Sequence, residues 1–410
     1  MSMTTAELAP APSHVPPELV WNHVLREFAS RTDDPYVAMA RELHPGPDVR
    51  WCPKMMGDRP GWLITRHAPS DEIYMNTTDF SSSAASDLTD ILEVDWLLNP
   101  VEIDPPLHRI YRGLLQPWFQ PSAINRLDAS MREGCRALID QFADKGHCEF
   151  GEEFGLKFPS QVFLNLMGLP LDMMDQFLAW EGQIMRGETT AVRLGGIRAV
   201  HDYLADAMQE KKRNPGDGDL GSFIATATIE GRPITDGEMM GMAVLMYIGG
   251  LDTVASSLGW YFRHLAGDTA LQQRLRDDPA CIPAAVEEFL RAYSPTTIMR
   301  CVVNDIDFHG VPMRKGDFIG LAGWLSGRDD RIYADPHRID FDRKQRHLTL
   351  GTGPHNCLGS HLARRELKIV FEEWFARIGE FRIADGDASV FDPAAVWGVT
   401  HLPLQWTPRS

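Results

Sequence analysis

The sequence carries Leu350-Gly351-Thr352-Gly353-Pro354-His355-Asn356-Cys357-Leu358-Gly359, a glycine-rich loop with one cysteine. An apolar-periodic run over 361–381 follows the loop and predicts a long amphipathic helix. Amides at the beginning of such a helix point back toward the sulfur and lower the pKa of a thiol. The loop therefore predicts that Cys357 is a thiolate ligand for iron. For an isolated cysteine the alternative is a buried structural thiol in a tight turn.

A second motif, Glu288-Phe289-Leu290-Arg291, lies in a predicted helix over 282–293. The spacing of three places the carboxylate and the guanidinium on the same helix face. If the pair is exposed, it is a solvated salt bridge that contributes little to stability. The spacing alone does not show whether the pair is exposed or is a buried structural pair.

A third motif is Tyr247-Ile248-Gly249-Gly250-Leu251-Asp252-Thr253-Val254, in a predicted helix over 235–266 that opens with a capping box at 235–238. Leu245, Gly249 and Thr253 recur at every fourth position and share one face. A transmembrane helix is the alternative for so apolar a run. Asp252 near its middle would cost roughly 2.5–3.5 kcal/mol in a bilayer, so we predict a buried central helix instead.

In this order and spacing, the three motifs resemble those of the cytochrome P450 superfamily. Its signature loop, Phe-x-x-Gly-x-x-x-Cys-x-Gly, is matched by Gly353, Cys357 and Gly359, with Leu350 in place of the usual Phe. The resemblance implies a mainly α fold with a small β region. The implied fold is a triangular helical prism with haem b between the long distal helix and the Cys-loop helix. Cys357 would be the axial ligand, and Leu350 would shift the redox potential without loss of haem.

The resemblance also assigns roles to the other two motifs. Glu288 and Arg291 become a buried structural pair, joined by Arg338 from a later loop. Gly249 leaves room for O2, while Asp252 and Thr253 deliver the protons that cleavage of dioxygen requires. The alternative is that Thr253 only bonds back to a helix carbonyl and that Asp252 is a satisfied core acid.

Haem carboxylates need cations, and planar guanidinium groups suit them. The family's propionate positions are matched here by His108, Arg112, Arg300 and His355. Leu350, Gly353 and Gly359 complete the predicted cofactor-binding set.

The resemblance covers about 45–407 and is strongest to the bacterial camphor-hydroxylating subfamily. Those enzymes hydroxylate small terpenoids with electrons from a two-iron ferredoxin and its flavin reductase. Their basic partner surface is matched by Arg109, Arg112 and Arg364, so the overall acidity does not exclude an acidic ferredoxin. In camphor hydroxylases a tyrosine donates a hydrogen bond to the substrate, and the matching position, counted back from Asp104, holds Trp96. The resemblance therefore implies that Trp96 is the hydrogen-bond donor to the substrate. The remaining predicted pocket residues are mostly apolar: Leu98, Met185, Leu245, Ile248, Thr296, Ile298 and Val396.

That pocket predicts a compact hydrophobic substrate with at most one acceptor oxygen, such as 1,8-cineole, a camphor-like monoterpenoid or an ionone. Two alternatives have different chemistry. A peroxide-dependent peroxygenase would not need Asp252 and Thr253. A haem-binding gas sensor or carrier would show no turnover with ferredoxin.

Composition fits this class of protein. The 410 residues carry a formal charge of −17, which argues against a nucleic-acid partner. Six scattered cysteines without a C-x-x-C pair favour reduced thiols and a cytoplasmic protein. We expect the protein to be a monomer. Residues 1–20 predict a mobile lead without a signal peptide or membrane anchor, and 21–410 predict a single domain.

Helices are predicted at 35–43, 122–145, 158–187, 193–212, 235–266, 282–293 and 361–377, and strands at 61–65, 302–308 and 318–321.

Overall fold

Helices make up most of the regular structure in the computed structural model, which describes residues 8, 10–30, 32–56, 59–83, 92–187, 189–393 and 396–408, without the side chains of 185, 186, 190 and 393. The described α-helices span Leu25–Ala29, Pro35–Leu43, His67–Met75, Leu107–Leu115, Pro121–Asp140, Lys157–Met167, Met174–Arg186, Thr190–Arg213, Leu220–Ala225, Asp236–Gly250, Asp252–Ala266, Thr269–Asp277, Ile282–Ala292, Gly323–Ser326 and Ser360–Arg377. The described strands span Val49–Met56, Arg59–Ile64, Phe80–Ser81, His147–Glu149, Thr228–Ile229, Arg232–Pro233, Thr297–Val302, Ile306–Phe308, Val311–Met313, Phe318–Ala322, Phe381–Ile383, Val390–Pro393, Trp397–His401 and Pro403–Trp406. The predicted mainly α class with a small β region is confirmed.

Three predicted elements are divided in the structure, and one of them is the helix predicted over 235–266, which is interrupted at Leu251. The helix predicted over 158–187 is two helices, because Gly168 ends the first with a left-handed φ of 62° and Pro170 follows. The strand predicted over 302–308 is interrupted at 303–305, where the Asp305 carboxylate accepts a hydrogen bond from the Lys315 amide. In these last two places a turn residue overrides a continuous apolar pattern.

Contacts divide the described chain into two compact units, each assembled from separate stretches. The first takes its residues from 1–85, 287–357 and 391–398. It contains a five-stranded sheet in which Phe318–Ala322 pairs in parallel with Arg59–Ile64 and antiparallel with Thr297–Val302. Its core packs Trp51 and Trp62 edge to face, with ring centres 5.0 Å apart. The prediction of a single domain stays a prediction.

The N-terminal lead is packed over part of its predicted length. Val15 is buried in the core of the first unit, and the His14 ring bonds to Asp317 over 2.9 Å. Val20 forms a parallel bridge with Trp51. The mobile lead over 1–20 stays a prediction, although His14, Val15 and Val20 pack on the sheet of the first unit. Residues 1–7 and 9 lie outside the described part of the chain.

The second unit takes its residues from 86–286, 358–390 and 399–410. It contains most of the long helices and a three-stranded sheet of Phe381–Ile383, Pro403–Trp406 and His147–Glu149. Phe262, on the helix Asp252–Ala266, anchors the aromatic core of this unit. Its ring centre lies 4.3 Å from that of Phe150 and 4.7 Å from that of Trp374. The helix that carries Asp252 and Thr253 is thereby fixed from one side.

Among the described helices, the run Asp236–Ala266 is long and apolar enough to cross a membrane. In the most apolar 18-residue stretch of this run, 61% of the residues are buried inside the protein. Such burial is what a core helix of a globular unit shows, in agreement with the sequence prediction.

Candidate functional site

Cys357 ends a tight loop in the first unit that its own backbone holds in place. The Cys357 amide donates to the Leu350 carbonyl over 2.8 Å, and Asn356 Nδ2 donates to the same carbonyl over 3.1 Å. Gly353 has a φ of 69°, and a Cβ there would lie 2.8 Å from the Tyr74 carbonyl oxygen. Only glycine fits this position without a shift of the backbone. The loop therefore presents a half-buried Cys357 in a fixed orientation.

Glu288 and Arg291 form the buried pair that the sequence predicted. Arg291 Nη2 and Nε donate to the two carboxylate oxygens over 2.7 and 2.8 Å. Arg343 supplies the second guanidinium, with Nε 3.2 Å from Glu288 Oε1. The Arg338 side chain is 64% exposed and pairs with Asp340, so only its carbonyl reaches Arg291. The prediction of Arg338 as the third member is wrong, because two arginines of one loop cannot be ranked by spacing.

Arg300 and His355 are the predicted propionate contacts in the first unit. Arg300 lies on the strand Thr297–Val302, is 3% exposed and donates from Nη1 to the Met299 carbonyl over 2.7 Å. Its guanidinium carbon lies 5.7 Å from the centre of the Tyr74 ring. His355 is half-buried in a single 3-10 turn before Cys357. A guanidinium buried on a strand suits a fixed carboxylate.

His108 and Arg112 share one face of the helix Leu107–Leu115, which we call the His108 helix. His108 is 2% exposed and Arg112 is half-buried. Burial lowers the pKa of His108, and the charge of Arg112 lowers it further. A neutral imidazole one turn from a guanidinium can donate to the same carboxylate. The structure thus brings together the two predicted propionate contacts of the second unit.

A partly uncovered strip runs along the long apolar helix of the second unit, which spans Asp236–Gly250 and Asp252–Ala266. Ile248 is 41% exposed, whereas Tyr247 beside it is 3% exposed. A Cβ built on Gly249 meets no atom of the described residues within 4 Å. The strip is therefore open at Gly249, and it also includes the half-buried Leu245, Asp252 and Thr253.

The long helix is interrupted at Leu251, between the two ends of this strip. Thr253 Oγ1 donates to the Gly249 carbonyl over 2.9 Å, which is the back-bond that the sequence left open as an alternative. This bond uses the hydroxyl proton and leaves the lone pairs of Oγ1 able to accept. Asp252 Oδ1 lies 3.4 Å from Ser256 Oγ, one turn further along. The back-bond therefore does not exclude a role of Thr253 in proton transfer.

Trp96 lies away from the strip. Its Cβ is 3.1 Å from a Cβ built on Gly237, in the first turn of the long helix. Gly249 follows twelve residues later (249 − 237), which is about 18 Å along the axis. The Trp96 ring stacks on His201 with centres 6.0 Å apart and planes 5° apart. The role of Trp96 as the substrate's hydrogen-bond donor stays a prediction, and in this structure its ring is stacked on His201.

The other predicted pocket residues fall into separate groups. In the first unit, Thr296 and Val396 form an antiparallel bridge beside the half-buried Ile298. In the second, Leu245 and Ile248 lie on the strip, and Leu98 is 4% exposed. The Met185 side chain lies outside the described residues.

The three predicted partner-binding arginines all belong to the second unit. Arg109 is exposed on the His108 helix and makes no ion pair with the described residues. Arg364 is half-buried, and its Nη1 lies 3.4 Å from the Ser360 carbonyl. Glu373, on the same helix as Arg364, forms an ion pair with Arg136, with 2.9 Å between Nε and Oε2. The number of basic residues therefore overstates the positive charge that is available to a partner.

Sequence reasoning missed a buried polar pair next to the strip. Tyr247 OH donates to Glu181 Oε2 over 2.7 Å, and both residues are less than a tenth exposed. Burial and the neighbouring Glu181 raise the pKa of Tyr247. The helix Met174–Arg186 also carries Asp175, Gln176 and Gln183, so the sequence does not mark Glu181 as the buried acid.

Each unit offers groups that suit a haem. In the first unit, Cys357 is a partly accessible thiol on a fixed loop, and Arg300 is a buried cation that suits a carboxylate. In the second unit, His108 is a buried donor, and the strip is open at Gly249. This donor set defines a haem-thiolate protein.

Comparison with known proteins identifies the family. The Cytochrome P450 family model matches residues 281–377. Probable cytochrome P450 127A1 of Sinorhizobium fredii is 35% identical over 97% of this chain and 97% of the relative. Cytochrome P450-terp of a Pseudomonas species is 28% identical over 86% of this chain and 90% of its own length. The crystal structure of cytochrome P450 CYP101C1 matches with a TM-score of 0.87 at 28% identity, covering 98% of this chain and all of that one. The crystal structure of CYP101J2 matches at 0.86 and 29% identity, over 97% and 99%.

The chain therefore belongs to the cytochrome P450 family of haem b monooxygenases. This confirms the resemblance that the three motifs predicted.

Proposed function

We propose that this cytochrome P450 inserts one oxygen atom of O2 into a C–H bond of a small hydrophobic terpenoid. The observation that carries the proposal is the strip on the long helix, where apolar Leu245 and Ile248 lie beside Asp252 and Thr253. An apolar surface next to an acid and an alcohol suits a substrate without charge and a reaction that consumes protons.

Each residue of the site has a task in this reaction. Haem b, held by Cys357, supplies the activation of dioxygen when bound. By the family resemblance, Arg300, Arg112, His108 and His355 would bind its carboxylates. Gly249 would leave room for dioxygen. Thr253 Oγ1 holds a proton beside that space, and Asp252 passes protons to it from solvent.

The substrate class follows from the apolar groups of the pocket. The Trp96 ring is stacked on His201, and Thr296 is the one hydroxyl among the other proposed pocket residues. A compact ether or hydrocarbon such as 1,8-cineole fits better than a ketone that requires a donor, and an ionone or a camphor-like monoterpenoid falls in the same class.

Electrons come from a two-iron ferredoxin and its reductase in this proposal, and the protein acts as a cytoplasmic monomer. Exposed Arg109, with Arg112 and Arg364, provides local positive charge on a chain of formal charge −17. Local charge decides the encounter of two proteins, so an acidic ferredoxin suits this surface.

The test is a spectroscopic titration of the ferric holoenzyme with 1,8-cineole, camphor, other monoterpenoids and ionones. We expect a saturable low-to-high spin conversion with a compact terpenoid, followed by hydroxylated product when ferredoxin and reductase are added. Ile248→Ala, which enlarges the proposed pocket, should weaken that binding, whereas Val192→Ala, at an exposed apolar residue of the helix Thr190–Arg213, should leave it unchanged. An intact haem that responds to none of these compounds would contradict the substrate class.

A further inference from the structure

Tyr111 connects the His108 helix to the beginning of the long apolar helix. Its hydroxyl donates to Glu238 Oε1 over 2.7 Å, and Tyr111 is 6% exposed. Tyr111 follows His108 by three residues and directly precedes Arg112, so it belongs to the same turn as both. A hydrogen bond from this turn restricts rotation of the helix about its axis.

Glu238 is held from its other side by two more residues. Arg232 donates to both carboxylate oxygens, over 2.6 and 2.8 Å. The Thr235 amide and hydroxyl donate to Oε2 over 2.8 and 2.9 Å. Arg232 and Thr235 therefore hold the Glu238 carboxylate in place independently of Tyr111. The carboxylate keeps these hydrogen bonds if the Tyr111 hydroxyl is removed.

The charges of this cluster keep the bond in place across the working pH range. The hydrogen bonds from Arg232 hold the pKa of Glu238 well below its usual range. Burial, with the hydrogen bond to Glu238, raises the pKa of Tyr111 to about 12. The carboxylate stays charged and the phenol stays protonated between these limits, so the contact is a charge-assisted hydrogen bond.

We propose that Tyr111 is a positioning residue for the haem carboxylate site. Through Glu238 it sets the rotation of the His108 helix, and it thereby aims the Arg112 guanidinium and the His108 imidazole at one carboxylate. A planar guanidinium binds a carboxylate in a fixed orientation, so a rotated helix weakens this contact without removing a charge. The inference rests on the proposed haem contacts of Arg112 and His108.

The experiment measures haem loss from the ferric holoenzyme to excess apomyoglobin. Tyr111→Phe removes one hydroxyl and leaves Glu238 bonded to Arg232 and Thr235. We expect haem to leave roughly tenfold faster, the factor that one lost hydrogen bond to a charged group produces. Tyr203→Phe is the matched control, since Tyr203 is half-buried in the same unit and packs on Phe177. It should leave the rate unchanged.

A double variant separates positioning from simple support of the fold. If Tyr111 acts through Arg112, Tyr111→Phe with Arg112→Lys should lose haem no faster than Arg112→Lys alone. The apoprotein of Tyr111→Phe should unfold at a lower urea concentration than that of Tyr203→Phe, because the lost hydrogen bond is present without haem. The comparison of the double variant with Arg112→Lys alone therefore decides between positioning and support of the fold. Additive rates, or a Tyr111→Phe rate equal to that of Tyr203→Phe, would overturn the inference.

Failure of the underlying assignment looks different. If Arg112→Lys does not accelerate haem loss, the proposed contact of Arg112 with the haem is wrong and this inference falls with it. If Arg112→Lys accelerates haem loss and Tyr111→Phe does not, the contact stands and only the role of Tyr111 is wrong. Neither outcome depends on the terpenoid titration.

Discussion

Glu288 binds two guanidinium groups, those of Arg291 and Arg343. Single substitutions can test whether Arg343 or Arg338 is the second arginine of this buried cluster. Arg343→Ala should lower the free energy of unfolding by about 3 kcal/mol, because it removes one partner from a buried charge. Arg338→Ala is the matched control. Its side chain is 64% exposed and should contribute less than about 0.5 kcal/mol. Urea unfolding measures both, and equal losses would restore Arg338 to the buried cluster.

Thr253 allows a second test at this scale. Thr253→Ala removes the hydroxyl beside Gly249 and should slow proton delivery roughly 10²-fold. Electrons are then consumed without product. Thr253→Ser keeps the hydroxyl and should retain most product per electron. The measurement is hydroxylated product per reducing equivalent with ferredoxin and reductase, and an unchanged ratio in Thr253→Ala would show that Thr253 carries no proton.

Residue identities could be predicted wherever local spacing fixes the geometry. Glu288 and Arg291 are three apart on a helix, and Gly353 must turn the backbone before Cys357, so both features follow from the sequence. Trp96 lies in an irregular segment, where spacing does not set side-chain direction. Its stacking partner His201 is 105 residues later (201 − 96). Contacts of this kind depend on tertiary packing, which one sequence does not specify.

Among the elements, the long helices were predictable and their interruptions were not. The helix Pro35–Leu43 was predicted with the observed bounds, because an Asp34 cap and Pro35 mark its beginning. The His108 helix is absent from the helices predicted by periodicity, although Leu107, Ile110, Tyr111, Leu114 and Leu115 recur at helical spacing. The run is only nine residues long and follows Pro105 and Pro106, so its pattern is short. The break at Leu251 has no proline, and its one local signal is the Gly249-Gly250 pair, which weakens a helix without requiring that it end there.

The helices Pro121–Asp140 and Ser360–Arg377 are joined by ion pairs centred on Glu373. This carboxylate is 6% exposed and accepts from Arg132, Arg136 and Arg377. Glu373→Gln should lower the free energy of unfolding by roughly 1.5–3 kcal/mol, as expected for hydrogen bonds to a charged group. Glu372→Gln, at a carboxylate that is 25% exposed, should cost less than about 1 kcal/mol. Urea unfolding compares the two, and similar losses would mean that Glu373 is not the centre of this network.

Acid sensitivity belongs to the whole molecule, because it sums over all buried titratable groups. Burial lowers the pKa of His44 to about 4, with a further contribution from Arg66. Burial also lowers the pKa of His67 and of His337. A depressed pKa favours the neutral imidazole in the folded state. The resulting stability is fully present above the unfolded pKa of about 6.5 and is lost as pH falls toward the folded value.

We therefore expect the free energy of unfolding to fall from about pH 7 to pH 5, with His44 alone contributing on the order of 2 kcal/mol. Urea unfolding at several pH values measures the slope. His44→Gln keeps a donor for the Thr65 carbonyl, which lies 3.0 Å from Nε2, and removes the titration, so its slope should be shallower. His309→Gln, at a side chain that is 59% exposed, serves as the control and should follow the unsubstituted protein. If His44→Gln lost stability as steeply as that protein, the acid sensitivity would originate elsewhere, because a group that no longer titrates cannot contribute to the slope.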